Sequence, residues 1–176
     1  MGFYMIIRMF KKLYYFLYLK IFGMNKYLKK KGVKIGENSY IYSDISTLES
    51  FLITIGNNVT ISNDIQFITH DNSVCKVLDD VTDVFGEIKI GDNCFIGARS
   101  IILYGVTLPN NTIVAAGSVV TKSITEEGKI IGGVPAKVIG DVNSFAEKMK
   151  PYAINLDGLS KKQKQIAKKQ ANMVKK

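Results

Sequence analysis

Histidine occurs once in the 176 residues, at position 70, and cysteine twice, at positions 75 and 94. Two cysteines do not make a disulfide framework, and neither has a CxxC partner. One histidine leaves too little nitrogen for a zinc site, so no metal is expected. The chemistry fits a reducing, cytoplasmic compartment. No apolar run reaches the ~18 residues that a membrane-spanning helix needs. Arg8, Lys11, Lys12 and Lys20 break the stretch over residues 3–22 that is otherwise rich in Phe, Tyr, Ile and Leu. No small-residue cleavage site follows that stretch, so a secretory leader is not expected either. Acid is missing altogether before Glu37, whereas residues 1–31 also hold Lys26, Lys29, Lys30 and Lys31. A second basic group, Lys161, Lys162, Lys164, Lys168, Lys169, Lys175 and Lys176, follows the middle of the chain, and the formal net charge is +9. Such ends suit an anionic partner or simple solubility. Nothing matches a nucleic-acid-binding motif, so nucleic acid is not expected as a partner.

What is present is a beat of six. From Ile90 an aliphatic side chain recurs at Ile96, Ile102, Leu108, Val114 and Val120. Two places before each later beat stands a small or β-branched residue: Cys94, Ser100, Val106, Thr112 and Ser118. Helices repeat apolar positions at three or four, so six fits neither helical ridge. In a strand, residues i and i+2 share a face, so each pair points inward and the residues between turn a corner. Three short strands per turn, about eighteen residues, stack into a parallel triangular coil. Earlier the beat runs through Ile35 and Ile41 and fades across Thr47 to Leu52. It resumes two residues out of phase at Ile55, Ile61 and Phe67. Gly36-Glu37-Asn38, Gly56-Asn57-Asn58 and Gly91-Asp92-Asn93 each follow a beat with residues that tolerate left-handed backbone and bond it. An antiparallel β-sandwich is the alternative, but its strands are longer and its turns less regular. The fold class is therefore mainly β, a single-stranded parallel β-helix flanked by terminal helices.

The chain divides into an amphipathic helical segment at 1–32, the β-helix at 33–140 and a basic helical tail at 141–176, broken near Pro151 and Gly158. The corner rhythm breaks over 71–87, a polar, acidic segment that reads as an extruded loop of functional use. Cys94 sits at an inward position of the coil, and Cys75 in the loop. The first segment alternates aromatic and basic residues. Either it caps the open end of the coil or packs between subunits, or it contacts a membrane surface.

The stretch IKIGDNCFIGARSIILYGVTLPNNTIVAAGSVVTKS, with GGVPAKVIG after it, resembles the hexapeptide-repeat acyltransferases. Among these it is most similar to the galactoside, maltose and capsular-sugar O-acetyltransferases. The resemblance implies a left-handed coil, although parallel crossovers in ordinary sheets are right-handed in about 98% of cases. It also implies a homotrimer with sites between subunits, and acetyl-coenzyme A as acyl donor. An exposed flat coil face with aliphatic residues favours self-association on its own account. A lone histidine is more often structural. His70, however, stands in Phe67-Ile68-Thr69-His70-Asp71, where the first coils end and the loop begins, the place of the family's general base. A sugar hydroxyl is a poor nucleophile at neutral pH, and such a base contributes on the order of 10²–10⁴ in rate. Asp71 or a backbone carbonyl is expected to fix the imidazole tautomer.

For the donor, the resemblance points to Ala98 as an amide near the oxyanion and Ala116 along the pantetheine arm. It points to Thr121, Lys122 and Lys137 at the nucleotide phosphates. Relatives often carry a further basic residue where this chain has Gly140, a departure that weakens the phosphate site. For the acceptor it points to Asn63, Asp64, Asp71, Asp79 and Asp80. The function so implied is O-acetylation of a sugar or surface-glycan precursor, in the cytoplasm or peripherally at the inner membrane surface. One rival is acetylation of an amino sugar, serine or an antibiotic. The serine enzymes carry a long helical N-terminal domain and the antibiotic enzymes a more aromatic loop. The other rival is a non-catalytic scaffold, which has no need of His70, Lys122 and the AGSVVTK edge together.

Overall fold

The computed structural model describes residues 2–174, without the side chains of residues 2–8, 11, 12 and 14. Arg8, Lys11, Lys12, Lys175 and Lys176, singled out above, thus lie outside the described side chains. Helix α1 (Gly2–Lys30) leads into fifteen short strands among the described residues. They are β1 (Lys34–Ile35), β2 (Tyr40–Ile41), β3 (Ile53–Ile55), β4 (Thr60–Ile61), β5 (Gln66–Ile68), β6 (His70–Asp71), β7 (Val84–Phe85) and β8 (Ile88–Ile90). Then come β9 (Phe95–Ile96), β10 (Ile101–Leu103), β11 (Thr107–Leu108), β12 (Ile113–Val114), β13 (Val119–Val120), β14 (Lys129–Gly133) and β15 (Ala136–Asp141). Helices α2 (Val142–Met149) and α3 (Lys161–Gln170) follow.

Successive strands occupy the three sides of a prism in turn. One side runs β1-β3-β8-β11, the second β2-β4-β9-β12-β14 and the third β5-β10-β13, all parallel. β15 folds back antiparallel on β14, and β6 pairs antiparallel with β7. Each two-residue strand of the prism buries one side chain, the beat residue, while β3 and β8 bury two. Ile41, Ile61, Ile96, Val114 and Ile131 form one inward ladder; Phe67, Ile102 and Val120 form another. All of these are buried. The undisturbed coil is eighteen residues, as from Ile90 to Leu108. Ile35 to Ile55 takes twenty, because a turn of 3₁₀ helix at Ser50–Leu52 adds two residues; this is the phase slip seen in the sequence. Ile55 to Ile90 takes thirty-five, because the loop leaves the prism there.

The corners divide their labour differently from expectation. Asn38, Asn58, Asn93 and Asn111 hold the left-handed backbone, with φ between 54° and 58°. The glycines before them do not. A Cβ on Gly36 would lie 2.6 Å from the carbonyl carbon of Gly56, so these glycines are there to let corners stack. The polar side chains bond the next coil: Asn57 Oδ1 accepts from Glu37 N, Asp92 Oδ1 from Asn57 N and Asn110 Oδ1 from Asp92 N, each at 2.8 Å. Buried Ser100, Thr112 and Ser118 donate to carbonyls at 2.6–2.8 Å, so no polar group is sealed in without a partner at those positions.

The open end of the first coil is closed by the end of α1. Leu28 is fully buried there, with Met24 and Tyr27 against the core. Gly23, at φ 78° and ψ 166°, breaks α1 into two helical segments. Cys94 is buried as expected, and burial pushes its thiol up.

Candidate active site

β5 ends at Ile68, buried Thr69 is the last residue of the wall, and His70 begins the excursion. The pairing of His70 with Phe85 and of Asp71 with Val84 makes the neck of the loop a two-stranded ribbon, closed by Gly86 N donating to Thr69 O. The imidazole leans on the Phe85 ring, with centroids 5.9 Å apart. Its Nδ1 lies 3.0 Å from Glu49 Oε2. The same oxygen accepts from Thr47 and Thr69, each at 2.9 Å, and the two hydroxyls are themselves 2.6 Å apart. The Thr69 hydroxyl first, then Thr47 and His70, hold the Glu49 carboxyl below its ordinary range, so it stays ionised near neutrality. A carboxylate only accepts, so Nδ1 carries the ring proton and Nε2 keeps the lone pair. The Glu49 side chain is 16% exposed and that of His70 41%, so the ring is anchored on one edge and open on the other.

The partner of Nδ1 is thus Glu49, where Asp71 or a backbone carbonyl was expected. Asp71 turns elsewhere. It accepts from Ser73 N at 2.8 Å and from the Tyr104 hydroxyl at 3.2 Å, which keeps its carboxyl low and pushes the Tyr104 hydroxyl up. Glu49, Thr47 and Thr69 carry no motif. The one signal for Glu49 is that it falls where the beat fades.

Two cavities adjoin His70. The first, about 220 Å³, is lined by Ser46, Thr47, Leu48 and Phe67 through His70. The second, about 440 Å³, shares Ser46, Phe67 and Ile68 with it and adds Asp44 and Asp64. Asp64 sits at a corner with φ 59°, 4.0 Å from Arg99. Asn63 is exposed beside it, and its carbonyl accepts from Arg99 N. Asp79 and Asp80 are exposed on the loop and line neither cavity. Of the five expected acceptor residues, Asp64 alone lines the second cavity, which His70 does not line, and none lines the cavity at His70.

Of the expected donor residues, Ala98 and Ala116 come together on another flank, and Thr121, Lys122 and Lys137 do not line the groove there. A groove of about 630 Å³ is lined by Ser62, Phe95 and the corners Gly97-Ala98 and Ala115-Ala116, with Ile130, Ile139 and Phe145 across from them. A Cβ on Gly97 would sit 2.5 Å from Ala116 N, so close stacking of these corners demands glycine. The N–H groups of Ala98 and Ala116 meet no acceptor among the described residues, while neighbouring Gly97 and Ala115 donate along the wall. Small side chains and free amides on an apolar floor suit an extended thioester arm. Thr121 and Lys122 follow β13, and Lys137 lies on β15 opposite Gly132. All three are exposed, and neither lysine makes an ion pair among the described residues. No residue lines both this groove and the cavities at His70. Among the described residues no three His, Cys, Asp or Glu side chains come together as a metal-holding group.

Residues 87–122 match the family model for the hexapeptide repeat of succinyl-transferase. Protein CapG of Staphylococcus aureus is 41% identical over 159 residues, covering 85% of this chain and 91% of CapG. Galactoside O-acetyltransferase of Escherichia coli is 32% identical over 113 residues, 64% of this chain and 55% of that enzyme. The chain thus spans about half the length of the galactoside enzyme. The crystal structure of a hexapeptide-repeat acetyltransferase from Vibrio cholerae, in complex with acetyl-coenzyme A, superposes with a TM-score of 0.56 at 30% identity. That match covers 64% of this chain and 61% of the other.

Proposed function

The chain belongs to the hexapeptide-repeat acyltransferases, and on that premise we propose that it moves acetyl from acetyl-coenzyme A to a hydroxyl of a sugar or surface-glycan precursor. The observation that carries this reading is the Glu49–His70 contact, which fixes the Nδ1 edge of a partly exposed ring and leaves Nε2 of the neutral imidazole as the base. As the acceptor oxygen attacks the thioester carbon, Nε2 takes the hydroxyl proton. The tetrahedral intermediate places its oxyanion against backbone N–H, and the free amide of Ala98 is the donor we assign. Collapse breaks the C–S bond, and the imidazolium returns the proton to the departing thiolate. Glu49 positions the ring and offsets its transient charge without leaving the carboxylate state.

Ala116 guides the pantetheine arm, and Lys122 and Lys137, with Thr121, meet the nucleotide phosphates. Asp64 and Asp71 bond acceptor hydroxyls; Asn63, Asp79 and Asp80 are further candidates on the same side. The donor groove and His70 lie on different flanks of one prism. We therefore assign the complete site to the seam between two copies in a homotrimer, where one copy's groove meets the next copy's imidazole. Likeness to the Vibrio enzyme supports a left-handed sense for the coil.

The test is release of free thiol from acetyl-coenzyme A against a panel of sugars, nucleotide sugars, lipid-linked oligosaccharides, amino sugars and serine. Acceptor-dependent release with a hydroxyl sugar supports the proposal. Release only with an amine, or no coenzyme binding at all by calorimetry, overturns it.

A further inference from the structure

Helix α1 has two apolar sides, and the fold uses one. Beyond the break at Gly23, the segment before it turns back on the cap. Tyr15 packs edge-on against Tyr27 with centroids 4.9 Å apart, Tyr18 lies 6.0 Å from Tyr27, and Tyr18 meets Phe22 at 4.8 Å. At 100° per residue Tyr15, Tyr18 and Phe22 share one stripe, and Tyr15 and Tyr18 meet Tyr27 across the break. Met9, Phe10, Leu13, Phe16, Leu17 and Ile21 fall on the other, and each is between 46% and 70% exposed. Six large apolar side chains on one helix face are more than a water-facing surface ordinarily shows, so something covers them.

Charge selects the occupant. The only described charged side chain within that stripe is Lys20; beyond the break Lys26 and Lys30 lie over the Phe22 and Tyr18 rings at 5.3 and 5.4 Å, Lys29 is exposed, and no acid occurs before Glu37. A second copy of this face would set lysine against lysine. The other helix rich in charge, α3, carries Lys161, Lys162, Lys164, Lys168 and Lys169 and no acid, so it does not complement the stripe either. An anionic bilayer supplies both requirements at once, acyl chains for the apolar stripe and headgroups for the lysines. No helix among the described residues is long and apolar enough to cross a membrane, so the helix lies in the plane of the interface.

We propose that α1 is an interfacial anchor that seats this protein on an anionic membrane surface, with the Met9–Ile21 stripe inserted, Lys20 at the headgroups and the exposed Lys29 adding to the attraction. The remainder of α1 stays docked on the prism through Leu28.

The experiment is flotation of the full chain with phosphatidylcholine vesicles, with and without phosphatidylglycerol. Binding to the mixed vesicles should exceed binding to the neutral ones by about tenfold and fall as salt is raised. The Leu13→Glu/Leu17→Glu variant should bind the mixed vesicles at least about tenfold less, with unchanged sedimentation and thermal unfolding. Lys20→Glu, at an exposed position, should lower the preference for phosphatidylglycerol even if the double variant fails to fold. Absence of flotation, flotation unaffected by the lysine variant, or a double variant that sediments as a smaller species overturns the proposal. The last result would make the stripe a contact between subunits.

Discussion

Glu49 Oε2 lies within 3.0 Å of an imidazole nitrogen and two threonine hydroxyls, and it is the least exposed charged group at the site. Glu49→Gln keeps the shape but lets either end of the amide face Nδ1, so the base tautomer is no longer enforced. Turnover should fall by about 10² or more with coenzyme A affinity unchanged, as steady-state kinetics and calorimetry would show. The pH dependence of stability has a definite sign. Hydrogen bonds hold the carboxyl below its ordinary value of 4.5, so the folded protein binds fewer protons there than the unfolded chain. Its contribution is complete above that value and is lost as pH falls through the lower folded one. The melting-temperature gap between native protein and Glu49→Gln should therefore hold above about pH 4.5 and narrow as pH falls below it. At the far end of the site, Lys122→Ala should raise KM for acetyl-coenzyme A more than it lowers kcat; a selective fall in kcat would contradict a phosphate role. That His70 opens the excursion was legible because the repeat stops there, and its assignment as a base came from the resemblance and rests on the test below. Glu49 was not legible, because its partners reach it across a two-residue insertion that hides which side chains share a side.

At the scale of the coil, alternating beat and corner residues made the architecture legible. One inward side chain per two-residue strand leaves a period that no helix or long strand produces. The corner roles were only half legible. Asn38, Asn58, Asn93 and Asn111 take the left-handed angle, the residue before each of the last three (Asn57, Asp92, Asn110) bonds the neighbouring coil, and the position before that is left to be chosen for size. Gly97 shows the consequence where it affects the donor groove. Its missing Cβ lets Ala116 N approach to 2.5 Å of that position, so Gly97→Ala should push apart the two corners that floor the groove. Weaker coenzyme A binding together with a lower melting temperature is the expected pair of results. Loss of stability with intact affinity would separate corner stacking from the donor site. The hairpin β14–β15 was not foreseen in full. The six-residue beat stops at Val120, whereas β14 runs through Gly133 and turns at a cis Val134–Pro135 bond into β15.

The whole molecule is a prism with a base on one flank and a donor groove on another, and no residue belongs to both. On the proposed reading of a site shared between copies, sedimentation equilibrium should find a trimer in which activity and assembly are lost together on dilution. Active, dilute monomer would contradict the shared site. The central claim is that the His70 imidazole, primed by Glu49, is the general base for acetyl transfer. Its most direct test is His70→Ala, measured for kcat and for coenzyme A affinity on the same preparation. The account predicts a fall in kcat of about 10² or more with affinity retained. Turnover that survives the loss of that ring would contradict it.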